Sequence, residues 1–218
     1  MTRLFVFDMD GVLVASEKSW IEDEADFYVG LFGPRIAATL GDMVGVSVDA
    51  IYRKAKALGT PVTHAQYTRA SDEAAERVYR KCEISRGADT LAEYLSRNGW
   101  TIALLSSSPD HWIRQVTNRL PWREKISVIL SLNAHSELAP KPAPDGYRYL
   151  LRKLSSDASA GIALEDSNPG IAAARAAGLF TIGYREHLPR GYMQKETDAI
   201  AETMADVISI VSRVTIPS

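Results

Sequence analysis

The chain has one cysteine, Cys82, in 218 residues, so no intrachain disulfide can form; a lone thiol fits a reducing compartment. The side chain itself reads as a small, part-buried hydrophobe. No uninterrupted apolar run reaches the roughly 18 residues that a membrane-spanning helix requires. The N-terminus lacks a basic segment followed by an apolar stretch and a small-residue cleavage site, so no secretion signal is expected and the expected location is cytoplasmic. A large excess of charge of either sign is missing as well. Lys and Arg number 25 against 27 Asp and Glu, a net charge of −2. No strong field draws this chain to nucleic acid or to an anionic membrane, and a small molecule is the expected partner. Internal repeats and low-complexity segments are also absent.

What remains is an ordinary globular composition, 46% hydrophobic and 24% charged, long enough for one large domain or a core with an inserted subdomain. Short apolar runs rich in β-branched or aromatic residues occupy 4–7, 101–105, 127–132, 161–164 and 179–184. Their continuous, non-alternating apolarity predicts strands covered on both faces, as in a parallel sheet. Helices are predicted between and after them. One runs over 109–119, with Ser108 as N-cap and Pro109 as its first residue. Others run over 144–154, over 169–177 with Asn168 as cap and Gly178 as stop, and over 204–214. This alternation argues for a doubly wound α/β fold. Residues 16–86 differ: helical periodicity around Trp20, Phe27 and Leu31 and again over 67–82, with few strand signals, predicts a helical insertion between the first two strands.

Four polar clusters fall where strands end, the place at which open α/β sheets bind ligands. "FDMDGVL" ends its strand on Asp8 and Asp10, which share a side because residues two apart in extended chain do so. Two carboxylates that close raise each other's pKa or require a cation. "LLSSS" places Ser106 and Ser107 at a strand end and a helix start, suited to a phosphate oxygen. "APKPAPD" holds Lys141 between prolines that stiffen it. "LEDSNPGIAAARAAG" ends a strand on Glu165 and Asp166, an acid pair for which a hard cation is the natural partner. Each cluster alone has a plain structural alternative: a turn, a helix cap, a solvated lysine, acids at a helix N-terminus. Together they describe a site for a phosphoryl group and Mg²⁺.

These four segments, in this order and spacing, resemble the signature motifs of the haloacid dehalogenase-like hydrolase superfamily. The resemblance implies a Rossmann-like parallel-sheet core, residues 1–15 and 87–218, with an inserted α-helical cap at 16–86. It further implies that Asp8 is the nucleophile and Asp10 the general acid and base. Asp8, the backbone carbonyl of Asp10, and Asp166 would hold Mg²⁺, with Glu165 ligating directly or through water. Ser106 and Lys141 would bind phosphoryl oxygens together with the amides of Met9 and Ser107. Asp10 argues against dehalogenation, which has no leaving group of this kind to protonate.

Within the superfamily the chain resembles the branch of sugar-phosphate phosphatases and β-phosphoglucomutases. "ASEKSW" and "SSSPDHW" are similar to segments of hexose- and hexitol-phosphate phosphatases, which would put Glu17 at the cap hinge and Trp20 and His111 near the substrate. A packing tryptophan and a surface histidine are the alternatives. Gly45 belongs to "DMVGVSVDA", which has the shape of the family's cap specificity loop. Three positions depart from the pattern: Ala15 replaces an aspartate, Val48 stands where the mutases carry a phosphate-binding arginine, and Trp20 replaces the mutases' cap histidine. A phosphatase is therefore expected ahead of a β-phosphoglucomutase-like isomerase, with a receiver-like phospho-acceptor module a distant third. The expected assembly is a monomer or weak homodimer.

Overall fold

The computed structural model describes residues 2–41, 43 and 45–214, without the side chains of 17–19 and 21–25. Its centre is a six-stranded sheet, every pairing of which is parallel: β1 (Arg3–Phe7), β2 (Trp100–Ser106), β3 (Ile126–Ser131), β4 (Gly161–Glu165), β5 (Phe180–Tyr184) and β6 (Ala199–Ala201). The spatial order is β3-β2-β1-β4-β5-β6, so the winding reverses at β1, with β2 on one side and β4 on the other. Such a reversal opens a crevice beyond the strands' carboxyl ends. This is the doubly wound parallel sheet expected from the apolar runs and the Rossmann-like core that the resemblance implies.

The continuous apolarity of β1 has a direct cause. Phe5 and Phe7 enter one core with residues such as Leu91, Trp122 and Ile182. Leu4 and Val6 enter a second core, on the opposite face, with Tyr147, Leu150 and Ala173. Helices α5 (Ala88–Arg97), α6 (Asp110–Thr117), α7 (Asp145–Lys153), α8 (Asn168–Ala176) and α9 (Met204–Val211) surround this sheet. Between β1 and α5 lie α1 (Ser16–Phe32), α2 (Pro34–Leu40), α3 (Val48–Ala57) and α4 (His64–Lys81), a helical block with its own core around Phe32, Ile36, Leu40, Ile51 and Tyr67. Among the described residues no helix is long and apolar enough to cross a membrane.

Two helix starts differ from expectation. Ser108 does not cap α6: the N-cap is Pro109, with no side-chain cap bond, and the Ser108 hydroxyl is turned to the site described below. The cap of α8 is Ser167, whose Oγ accepts from the Gly170 amide at 3.2 Å, and Asn168 is the first helical residue. Either serine or asparagine makes a good cap, so sequence alone did not separate neighbours. Strand β6 was not expected either; three residues, Ala-Ile-Ala, are too few to show a period.

Candidate active site

Asp8, Ser106 and the Glu165-Asp166 pair sit at or just beyond the carboxyl ends of β1, β2 and β4, the three adjacent central strands. The Asp8 amide extends the ladder by donating to the Leu164 carbonyl at 3.0 Å, which fixes the acid beside the end of β4. Lys141, from the loop before α7, reaches into this point. Its ammonium donates to Asp8 Oδ1 at 2.5 Å and to Glu165 Oε1 at 2.7 Å, with its side chain only 3% exposed. The solvated-lysine alternative is thereby removed. Tyr147, one turn into α7, also donates its hydroxyl to Glu165 Oε1.

The electrostatics of this cluster are unbalanced. Burial pushes the Asp8 carboxyl well above the usual carboxylate range; the Lys141 ammonium pulls it back, while Glu165 and Asp10 push it further up. Burial alone would lower Lys141, but the two carboxylates outweigh it and hold the ammonium charged. Asp8, Glu165 and Asp166 are all buried, and one carboxylate oxygen from each lies within 4.8 Å of the others. Among the described residues one ammonium meets these three clustered acids, so the cluster is negative whenever all three are ionised. An all-oxygen donor set of this kind fits a small hard cation.

Asp10 has a different neighbourhood. Its Oδ1 accepts from the Ser16 and Tyr79 hydroxyls, both at 2.8 Å, and its Oδ2 accepts from Ser108 Oγ at 2.8 Å. Burial raises its pKa, and the three hydroxyl bonds partly offset that rise. The two aspartates, two residues apart, are thus held by an amine and by hydroxyls respectively. Ser16, Tyr79, Ser108 and Tyr147 were not singled out as site residues. A hydroxyl carries no sequence signature of its partner, whether that partner lies six residues away, as for Ser16, or 98, as for Ser108.

Two glycines permit close approaches here. Gly45 has φ +71°, and a Cβ there would lie 2.5 Å from the Ser167 side chain, so the α2–α3 loop touches the start of α8 beside Asp166. In α8, a Cβ at Gly170 would lie 1.8 Å from Glu165 Oε2. Gly170→Ala is accordingly expected to displace the fully buried Glu165, to destabilise the fold by about 1–3 kcal/mol as core overpacking does, and to lower activity through Lys141. Chemical denaturation with a paired rate measurement checks this; an unchanged midpoint contradicts it.

The remaining expected residues divide. Ser106, Ser107, Lys141, Asp166, Gly45 and Trp20 line one cavity with Asp8 and Asp10. Ser106 Oγ accepts from the Ser108 amide at 3.0 Å. Met9 is fully buried, and its carbonyl accepts from the amides of Val12, Leu13 and Val14, closing the tight turn after β1. Trp20 stacks on Trp112 with ring centroids 5.8 Å apart. His111, expected near the substrate, is not among the described residues lining this cavity. It lies in an outer groove, with Nε2 2.6 Å from Asp72 Oδ1, where α6 meets α4. It faces outward because its neighbour Trp112 takes the inward side of α6. The Glu17 side chain lies outside the described residues. Ala15 occupies the N-cap of α1 and supplies no side-chain cap bond.

Comparison with known proteins agrees with this geometry. The sequence profile of the family described as haloacid dehalogenase-like hydrolase matches residues 5–184. Hexitol phosphatase B of Escherichia coli K12 is 29% identical over 185 residues, covering 81% of each chain. A crystal structure of CbbY from Rhodobacter sphaeroides in complex with phosphate superposes with a TM-score of 0.75 at 22% identity, covering 95% of this chain and 96% of that one. A predicted phosphoglycolate phosphatase from Haemophilus somnus 129PT has a TM-score of 0.76 at 18% identity, covering 96% and 98%. With a profile match across most of its length and a matching fold, the chain belongs to the haloacid dehalogenase-like hydrolases.

Proposed function

We propose that the protein is a Mg²⁺-dependent phosphatase that hydrolyses a small phosphomonoester through an aspartyl-phosphate on Asp8. The observation that carries this reading is the contrast between two neighbouring buried acids: Asp8 held by Lys141, Asp10 held by three hydroxyls. A carboxylate Oδ of Asp8 attacks phosphorus, and the ester oxygen leaves with the proton of Asp10, whose burial favours the protonated form. Water then attacks the aspartyl-phosphate, Asp10 takes its proton, and the carboxylate of Asp8 is released with inorganic phosphate. Lys141, Ser106 and the amides of Met9 and Ser107 hold the phosphoryl oxygens, while Glu165 and Tyr147 keep the ammonium of Lys141 in place.

Asp8, Asp166 and the Asp10 carbonyl would hold the Mg²⁺, with Glu165 alongside. When bound, the cation supplies charge neutralisation for the phosphoryl oxygens. The helical block 16–86 serves as a cap over the site. A mutase would need a cap-side cation for a second phosphate. Among the described residues lining the cavity, none from this block is basic, and Val48 lines it where an arginine would be needed.

The test is phosphate release from a broad phosphoester panel with Mg²⁺. Release from at least one ester, abolished by chelation and restored by Mg²⁺, is the expected result. A folded protein releasing phosphate from none overturns the proposal. Glucose 6-phosphate formed from β-glucose 1-phosphate and a bisphosphate activator would favour the mutase instead.

A further inference from the structure

The cavity that begins at Asp8 and Asp10 continues upward into the helical block, and its character changes on the way. The floor is polar: acids, serine hydroxyls and Lys141. The upper walls are apolar and aromatic, with Trp20 and Phe27 from α1, Ile51 from α3 and Tyr67 from α4. Among the described lining residues from this block there is no carboxylate, amide, imidazole, guanidinium or ammonium. Ser71 breaks the pattern. It lies one turn beyond Tyr67 on the same face of α4, is 4% exposed, and its Oγ has no hydrogen-bond partner among the described residues. A buried hydroxyl left unpaired is costly, so an unpaired one facing a ligand cavity marks where a ligand's polar atom sits. The other hydroxyls of this block that line the cavity are engaged elsewhere: Ser47 Oγ accepts from the Ala50 amide as the cap of α3, Tyr79 donates to Asp10, and Tyr28 and Tyr67 interact with other residues.

From this we infer that the leaving group is an aromatic or heteroaromatic alcohol carrying at least one hydrogen-bonding ring substituent and no second phosphate, with Ser71 as the contact of that substituent. The inference rests on the phosphatase reading and narrows its substrate, and it departs from the sugar phosphate that the family resemblance implies. A sugar ring and an aromatic ring both stack on aromatic walls, whereas an open-chain hexitol has no ring to stack. The sugars differ further in their hydroxyls. A hexopyranose monophosphate brings four free hydroxyls and a hexitol monophosphate five, each of which must exchange water for a protein partner or lose a bond. Sites that bind polyols supply planar polar side chains for this purpose, and the described upper wall supplies none. A flat apolar ring loses no such bonds there and gains contact with the aromatic walls.

The experiment has a turnover arm and a binding arm. Initial rates with Mg²⁺ are compared for pyridoxal 5′-phosphate, benzyl phosphate, sorbitol 6-phosphate and fructose 1,6-bisphosphate. The kcat/KM of both aromatic esters is expected to exceed that of the polyol and the bisphosphate by about tenfold or more. Ser71→Ala is expected to lower kcat/KM about tenfold for pyridoxal 5′-phosphate, whose ring bears polar substituents, and to leave benzyl phosphate unchanged, since its ring offers the hydroxyl nothing; these figures follow from one neutral hydrogen bond. In the second arm, calorimetric binding of the same four compounds to Asp8→Asn protein is measured without turnover. Equal or better use and binding of sorbitol 6-phosphate or the bisphosphate overturns the substrate inference while leaving the phosphatase reading intact. Preferential aromatic binding without phosphate release from any ester supports the pocket reading and overturns the phosphatase. A Ser71→Ala effect that is the same on both aromatic esters removes Ser71 from the contact.

Discussion

Asp8→Asn is expected to abolish phosphate release, a fall of about 10⁴-fold or more, as removal of a nucleophile does in other covalent hydrolases. The variant should nevertheless fold. Burial already opposes ionisation of Asp8, so a neutral amide of the same shape costs the cluster little, and Lys141 keeps Glu165 as partner at 2.7 Å. In chelator its melting temperature should match or exceed that of the wild type. The difference appears on adding Mg²⁺. A cation that binds only the folded state stabilises by about 2.7 kcal/mol at 100 times its Kd, and losing one oxygen ligand should shrink that gain. Calorimetry with and without Mg²⁺ reads this directly. Retained activity in a purified Asp8→Asn sample would place the nucleophile elsewhere.

Lys141→Met has the second large effect, of the opposite kind. It deletes the ammonium bonded to Asp8 and Glu165 and leaves the buried acids facing each other. Removing one partner of a buried pair costs about 3–5 kcal/mol, and turnover should disappear along with stability. The loss should depend on pH. The folded-state pKa of Asp8 already lies above the usual carboxylate value, and without Lys141 it rises further. An acid with a raised folded pKa lends its full stability below the unfolded value and loses it as pH rises through the folded one. In chelator, therefore, Lys141→Met should melt at a lower temperature at pH 8 than at pH 5. Mg²⁺ should recover part of the stability at pH 8 without recovering turnover. A variant as stable as wild type at pH 8 without metal would show that the ammonium does not balance these acids.

These two effects concern residues that were legible before any coordinates. Asp8, Asp10, Glu165 and Asp166 stand out because charge at the end of an apolar run is conspicuous along a chain, and Lys141 because it is held between prolines. The sheet was legible for the same reason, since both faces of β1 are covered and its apolarity does not alternate. His111 shows the limit. The resemblance of "SSSPDHW" to hexose- and hexitol-phosphate phosphatases implied a substrate contact, but helix α6 turned Trp112 inward and left His111 on Asp72.

The sequence by itself determined the order of elements and the chemical types at the strand ends, because local periodicity and burial of charge are written residue by residue. Only the tertiary structure decided which groups share a proton or a charge. The hydroxyls of Ser16, Tyr79 and Ser108 meet on Asp10 from three separate parts of the chain, and the Tyr147 hydroxyl meets Lys141 on Glu165. Gly170 is required by a carboxylate five residues earlier, folded back against its helix. Likewise, the apolar upper wall around the unpaired Ser71 hydroxyl exists only once α1, α3 and α4 are assembled over the sheet. Hydrogen bonds act over about 3 Å of space regardless of sequence separation, and it is the packing of the two faces of the sheet and the helical block that sets those distances.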